Sequence, residues 1–277
     1  MADTIGAVES VAGAVASVAG KKILFVTAFK ELGRERWAHY ARRTDEYFDY
    51  FANLVQTLPH PLTVFIEDGL RARAQAVIDA AAAADRVTVR DHGAVDSFLT
   101  KYLERERAVM AAPEFRQLVA HRRDCPETHN PEYTLVNHSK INFVRAAQTA
   151  QPDFDFYAWV DFGMCRGASS AVPRLDVGGL PDKITYNTIA VPETRLDELR
   201  LLDSGAVFLT GDSFIVPAAR VAPFEAAWEA KLLSWQARGL ADDDQALVLQ
   251  LFYDDPGQFA LTVGGRWFML YQMLPRL

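Results

Sequence analysis

FYAWVDFGMCR, residues 156–166, is an apolar run that ends on an aspartate followed by an aromatic residue and a glycine. Alternation places Tyr157, Trp159 and Asp161 on one face of a strand and Phe156, Ala158 and Val160 on the other. Gly163 then releases the chain into a loop. A carboxylate at the carboxyl end of a central α/β strand stands where such sheets bind ligands. It can hold Mg²⁺ or Mn²⁺ against a diphosphate, or cap a turn through an Asx-type hydrogen bond.

The Asp-Phe-Gly triplet is also the magnesium-binding signature of protein kinases. That chemistry needs a Gly-rich loop, a strand lysine and a His-Arg-Asp loop upstream of it. None is present: Gly178-Gly179 and Gly264-Gly265 lie downstream, and no His-Arg-Asp occurs. GDSFI (211–215) lacks the second glycine of a nucleophile elbow. His129 and His138 lack the i, i+4 spacing of a helical zinc site, and a loop hydrogen bond suits His138 better. LADDDQ (240–245) lacks the alternating oxygen donors of a calcium loop.

Working outward, KKILFVTAF (21–29) steps from two lysines into a continuous apolar run, as in a doubly covered strand. The spacing of Trp37, Tyr40, Tyr47, Phe48, Phe51 and Leu54 predicts a helix over 37–58. LTVFIED (62–68) predicts a strand, 71–84 a helix and VTVRDH (87–92) a short strand. This series implies a mostly parallel α/β sheet flanked by helices. A charged helical region follows over 96–124, punctuated by Pro113. Residues 129–148 read as a loop turning into a helix capped by Ser139. ITYNTIA (184–190) and AVFLTGDSFIVPA (206–218) alternate as strands, with Gly211-Asp212-Ser213 at a hairpin or strand break. Helices are expected over 224–238, ending at Gly239, and over 242–255.

The 277 residues, 50% hydrophobic, suffice for one large domain. Against 36 Asp and Glu stand 29 Lys and Arg, a net of −7, which argues against a nucleic-acid partner. Two cysteines fit ordinary thiols in a reducing cytoplasm. No apolar stretch is long enough for a transmembrane segment. Residues 1–20 lack Lys and Arg and do not resemble a signal peptide; a mobile tail or loose helix using Val8, Val11, Val15 and Val18 is expected.

VTAFKELGRERW (26–37), NPEYTLVNHSKINFV (130–144), FYAWVDFG (156–163) and DDQ (243–245) together resemble the bacterial HtrL/YibB-like (WlaTC/HtrL) family, regarded as glycosyltransferases. The resemblance implies a GT-A-like domain over 21–277. A Rossmann-like half, about 21–165, would bind a nucleoside diphosphate sugar, and a half over about 166–277 would receive a glycan or other hydroxyl acceptor. It places the protein in bacterial surface-polysaccharide synthesis, in the cytoplasm at the inner face of the membrane. The alternatives are a nucleotide-sugar hydrolase and a non-catalytic nucleotide-sugar-binding protein. Such folds carry Asp-x-Asp at the end of a central strand. Here Asp161 is its first aspartate and Gly163 replaces the second, so the divalent cation (Mn²⁺ or Mg²⁺) rests on Asp161 with another group, or is replaced by Lys and Arg.

The same resemblance implies roles for other residues. Thr27 and Phe29 end the first strand, at the base and ribose, although Phe29 equally suits core packing. Arg34 would fork onto a phosphate. Lys140 and Asn142 open a helix whose N-terminus attracts anions, and read as nucleotide or diphosphate contacts. Gly211 and Asp212 would lie near the sugar. One of Asp242, Asp243 and Asp244 caps the following helix. Asp243 and Asp244 are the pair expected to bind the donor sugar or deprotonate the acceptor. Arg266 either closes over the diphosphate or is a surface arginine.

Overall fold

Five apolar strands buried on both faces and two half-exposed edge strands, the third and the seventh in chain order, build the sheet. They are Ile23–Phe29 (β1), Leu62–Ile66 (β2), Val87–Asp91 (β3), Phe156–Val160 (β4), Ile184–Thr188 (β5), Leu209–Pro217 (β6) and Phe259–Val263 (β7). The computed structural model describes residues 20–167, 171–190 and 194–277; the tail or loose helix expected over 1–20 lies, apart from Gly20, outside them. The strand order is β3-β2-β1-β4-β6-β5-β7. β6 runs antiparallel to both its neighbours and the remaining pairings are parallel. The mixed, mostly parallel sheet flanked by helices expected of a GT-A-like chain is therefore present.

The helices are Thr44–Thr57 (α1), Asp68–Ala80 (α2), Gly93–Ala111 (α3), Pro113–Leu118 (α4), Pro131–His138 (α5), Lys140–Ala150 (α6), Glu198–Ser204 (α7), Val221–Ala237 (α8), Asp244–Asp254 (α9) and Leu270–Met273 (α10). The period-two pattern of the strands divides the core. Leu24, Val26, Tyr157, Trp159 and Phe214 face Phe143 of α6, Trp228 of α8 and Leu247 of α9. Ile23, Phe25, Ala158, Val160 and Ile215 face Phe51 of α1, Ile78 of α2 and Leu270 of α10.

Several boundaries differ from the sequence reading. The helix expected from Trp37 begins only at Thr44, because Tyr40 takes φ 57°, a left-handed conformation that no right-handed helix continues through. Trp37 instead packs edge-on against Tyr133, ring centroids 5.8 Å apart. The helix expected over 71–84 starts at Asp68 and ends at Ala80, short of Ala82 with φ 49°. The stretch after His129 is already helical: Pro131 sits in its first turn, where a missing N–H costs nothing, and Asn130 accepts from the Tyr133 N–H at 3.0 Å. Ser139 is the hinge between α5 and α6, and its hydroxyl donates to the Val136 carbonyl rather than capping. Gly211-Asp212-Ser213 is neither a hairpin nor a break but the interior of β6. The edge strand β7 had no counterpart in the sequence reading.

α3, α5 and α8 are joined by one buried carboxyl. Glu106 is fully buried; it accepts from Gln236 Nε2 at 2.7 Å and from Thr134 Oγ1 at 3.2 Å. Burial, opposed by those two donors, pushes its pKa up to about 7. A carboxyl raised in the folded state binds more protons than in the unfolded chain, so its stabilising contribution is full below the unfolded value and is lost as pH rises through the folded one. Stability is expected to fall between about pH 4.5 and pH 7 by up to about 3 kcal/mol from this group. Glu106→Gln, which keeps an acceptor for Gln236, should remove that slope; urea denaturation of both proteins across this range measures it.

Candidate active site

The carboxyl ends of β1 and β4, the middle of β6 and the start of α6 enclose a cavity of about 420 Å³. Its wall is built by the Asp-Phe-Gly triplet, each residue facing a different way. Asp161 lines the cavity. Phe162 turns into the core and stacks on Phe51 at 4.3 Å and on Phe29 at 4.9 Å, which fixes the backbone on either side. Gly163 leaves room for an aromatic ring: a Cβ there would lie 3.0 Å from Tyr47 Cδ1 and 3.1 Å from Cε1. A side chain completing Asp-x-Asp would thus require the Tyr47 ring to shift by a few tenths of an ångström.

Lys140 reaches the same place from the first residue of α6. Its side chain is 7% exposed, and Nζ donates to Asp244 Oδ2 at 2.8 Å and to the Gly211 carbonyl at 2.8 Å. It also lies 3.2 Å from Asp161 Oδ1. Burial pulls the ammonium toward neutrality, but the Asp161 and Asp244 carboxylates outweigh it and hold the proton firmly. Asp161 Oδ1 accepts from the Trp159 indole at 2.7 Å. Burial raises the Asp161 carboxyl, against the opposing pull of Lys140 and the indole.

The turn before α9 is tied to the α5–α6 hinge. His138 is fully buried and its Nε2 meets the Asp242 carbonyl at 2.8 Å. Burial lowers this imidazole to about 4, so it is neutral and Nε2–H donates. Arg122 forks onto the Asp242 carboxylate at 3.3 and 3.4 Å. Asp243 caps α9, accepting from the Gln245 N–H at 3.1 Å. Its carboxyl is raised by burial and by the neighbouring Asp244 and Asp242.

Asp212 is 1% exposed and lines the cavity beside Asp161, whose N–H donates to the Asp212 carbonyl at 2.9 Å. Its Oδ2 accepts from Ser213 at 2.9 Å. Burial first, then the charge of Asp161, push it up to about 6, and the neighbouring Thr210 and Ser213 hydroxyls oppose that rise.

Of the residues singled out in the sequence, Phe29, Arg34, Lys140, Asp161, Gly211 and Asp212 line the cavity. Asp244 adjoins it through Lys140 and Gly211. Thr27 is buried within β1, Asp243 is occupied as a cap, and Asn142 turns away to Glu225, its Nδ2 donating at 2.8 Å; none of these three is in the wall. The Arg266 carbonyl accepts from Asn187, and Arg266 is not in the wall either. Tyr47, Trp159, Arg42 and Arg166 do line it. The sequence reading missed them because Arg42 and Arg166 sit in loops without a motif, and the aromatics read as core.

The donor set does not suit a divalent ion. Between the Asp161 and Asp244 carboxylates, where a cation would bridge them, stands the Lys140 ammonium. Among the described residues no group of three or more His, Cys, Asp or Glu is placed to hold a metal. In this arrangement the partner of Asp161 is Lys140 rather than a second carboxylate.

Residues 21–275 match the family model described as "Bacterial protein of unknown function (HtrL_YibB)". Protein HtrL of Escherichia coli (strain K12) is 25% identical over 270 residues, covering 89% of this chain and 90% of that protein. Among solved structures, apo mouse xyloside xylosyltransferase 1 superposes with a TM-score of 0.46 at 9% identity, over 88% of this chain and 85% of that one. The 4-diphosphocytidyl-2C-methyl-D-erythritol synthase of Anaerococcus prevotii DSM 20548 gives 0.43 at 8% identity, over 90% and 89% respectively.

Gly211 lets Asp244 lie against β6: a Cβ at 211 would fall 2.8 Å from the Asp244 Cγ. Gly211→Ala should displace Asp244 from Lys140 and cost about 3 kcal/mol or more. Gly69→Ala, in α2 with nothing within 4 Å, should leave stability unchanged or raise it by up to about 1 kcal/mol. Denaturant midpoints of the two variants against the parent chain test this.

Proposed function

The chain belongs to the HtrL/YibB family of bacterial proteins, and from that premise we propose that it is a glycosyltransferase, moving a sugar from a nucleoside diphosphate sugar to a hydroxyl acceptor. The observation that carries this reading is the cavity at the carboxyl ends of β1 and β4. There a carboxylate cluster organised on a buried ammonium faces aromatic rings and guanidinium groups. A volume of about 420 Å³ falls in the range of small-molecule sites, and position at this sheet edge is where α/β folds take ligands.

In the proposed reaction the acceptor oxygen attacks the anomeric carbon, and the bond from that carbon to the β-phosphate oxygen breaks. Negative charge grows on the departing diphosphate. Preorganised cations directed at such charge contribute about 3–4 kcal/mol each; Arg34, in the cavity wall, takes this role, and Lys140 holds the carboxylates in position. Phe29 offers a ring face to the base. Asp161 orients the donor. Asp212 takes the acceptor proton: it lines the cavity and is raised to about 6. Asp244 serves by holding Lys140, and Asp243 by starting α9. The donor half is assigned to about 21–165 and the acceptor half to about 166–277, with a sugar of hexose type and a bacterial surface polysaccharide as the acceptor class. Among the described residues no helix is long and apolar enough to cross a membrane.

Screening UDP, GDP, CMP and dTDP sugars by thermal shift tests the reading. One class is expected to stabilise the chain, by about 2.7 kcal/mol at one hundred times its dissociation constant. Asp161→Asn should weaken that shift. No shift with any nucleotide sugar would overturn the proposal. With the responsive donor, Asp212→Asn should retain binding and lose transfer. Transfer by the parent chain should fall as pH drops through about 6, because a general base must be deprotonated to act.

A further inference from the structure

Three guanidinium groups line the cavity, none of them in an ion pair among the described residues, although the Asp161 carboxylate is near enough to act on Arg166. Arg34 donates from Nη1 to the Tyr47 hydroxyl at 2.6 Å and from Nη2 to the Tyr40 carbonyl at 3.0 Å. Arg42 donates to the same Tyr47 hydroxyl at 3.3 Å. Two cations thus converge on one phenol oxygen. Arg166 donates from Nε to the Gly163 carbonyl at 3.2 Å and lies over the Phe268 ring at 4.7 Å. Burial first and then repulsion from Arg42 draw its guanidinium below the ordinary range, so Arg42 and Arg166 feel each other's charge.

Other cations near the cavity are paired. Lys30 lies 3.1 Å from Glu67, and Arg43, in the neighbouring loop, 3.8 Å from Glu46. Lys140 holds Asp161 and Asp244. Among the described residues Arg34, Arg42 and Arg166 form no ion pair. Glu31, also in the wall, accepts instead from the Gly33 N–H and the Thr44 hydroxyl. Arg34 Nε is buried without an acceptor.

Convergent like charges repel, and a buried donor left unpaired is costly. Both costs vanish if an anion with several oxygens enters, because guanidinium groups fork onto phosphate oxygens in pairs. The aromatic faces of Tyr47 and Phe268 hold the guanidinium planes in place without neutralising them. The carboxylate cluster, for its part, already contains its cation in Lys140.

We propose that this cavity binds a pyrophosphate group without a divalent metal ion, the Arg34, Arg42 and Arg166 guanidiniums gripping its oxygens while Lys140 stands as the internal cation of the Asp161–Asp244 pair. This rests on the transferase reading for its substrate, a nucleoside diphosphate sugar, but the anion site stands or falls separately. It also gives Gly163 a purpose: the second aspartate is replaced by space for Tyr47, the residue on which two of the arginines are organised.

Titration calorimetry of the full chain with inorganic pyrophosphate, in EDTA and then in excess Mn²⁺, tests the site. Binding in EDTA is expected, with an affinity that Mn²⁺ changes by no more than about twofold. Arg42→Gln and Arg166→Gln should each weaken it by roughly tenfold, as for the loss of a charge-assisted contact. Arg43→Gln should leave it unchanged. Pyrophosphate binding that requires Mn²⁺, no binding by the folded chain, or equal losses in all three variants would overturn the proposal. Electron paramagnetic resonance with Mn²⁺ alone gives a second readout, and stoichiometric Mn²⁺ bound by the parent chain and released by Asp161→Asn would also overturn it. Pyrophosphate binding in EDTA with no response to any nucleotide sugar would support the anion site while removing the transferase reading.

Discussion

A buried ammonium group, that of Lys140, ties together four elements that meet at the carboxyl edge of the sheet. It bonds Asp244 at the start of α9 and the Gly211 carbonyl in β6, and lies against Asp161 at the end of β4, all from the first residue of α6. Removing an ion from water costs several kcal/mol, and only near-complete pairing offsets this. The arrangement is therefore intolerant of losing its centre: without Lys140 the Asp161 and Asp244 carboxylates would face each other with no cation between them. That intolerance explains why Gly211 is a glycine inside a strand and why His138 and Arg122 both hold the turn of residues 242–244. Each keeps a carboxylate where the ammonium needs it.

The same edge is rigid on its other side for a different reason. Phe162 stacks between Phe29 and Phe51, and Tyr47 closes over Gly163. Aromatic packing of this kind allows little adjustment in a close-packed interior. Asp161 is thus held between an electrostatic clamp and an aromatic one. The cavity wall it belongs to is preorganised, as a site stabilising developing charge requires.

Much of this was legible in the sequence. The continuous apolar runs of β1 and β4, the strand–helix series and the mostly parallel sheet followed from hydrophobic patterning, because both faces of those strands are buried. Asp161, Lys140, Gly211 and Asp212 were separate marks in the chain that the fold brings together. The misreadings share a cause. Trp37 and Tyr40 have helical spacing, yet they pack in a loop against Tyr133 or take a left-handed turn, and spacing does not distinguish a helix face from a loop's aromatic contacts. Asn142 lies one helical residue beyond Ile141 and faces Glu225, away from the ligand edge. β7 is half-exposed at the sheet's edge, so its pattern carries little burial signal.

By itself the sequence determined the class of the sheet, its buried strands and the aspartate at the end of the central one. Local periodicity is set by burial, and burial leaves its trace along the chain. Only the tertiary structure decided what surrounds that aspartate. Lys140 and Asp244 are separated by more than a hundred residues, and their meeting depends on β6 running antiparallel beside β4. Arg42 and Arg166 come to one cavity for a similar reason. Charge pairing is a matter of distance in space, and no spacing along the chain records which cations are matched by carboxylates and which are left to meet an anion.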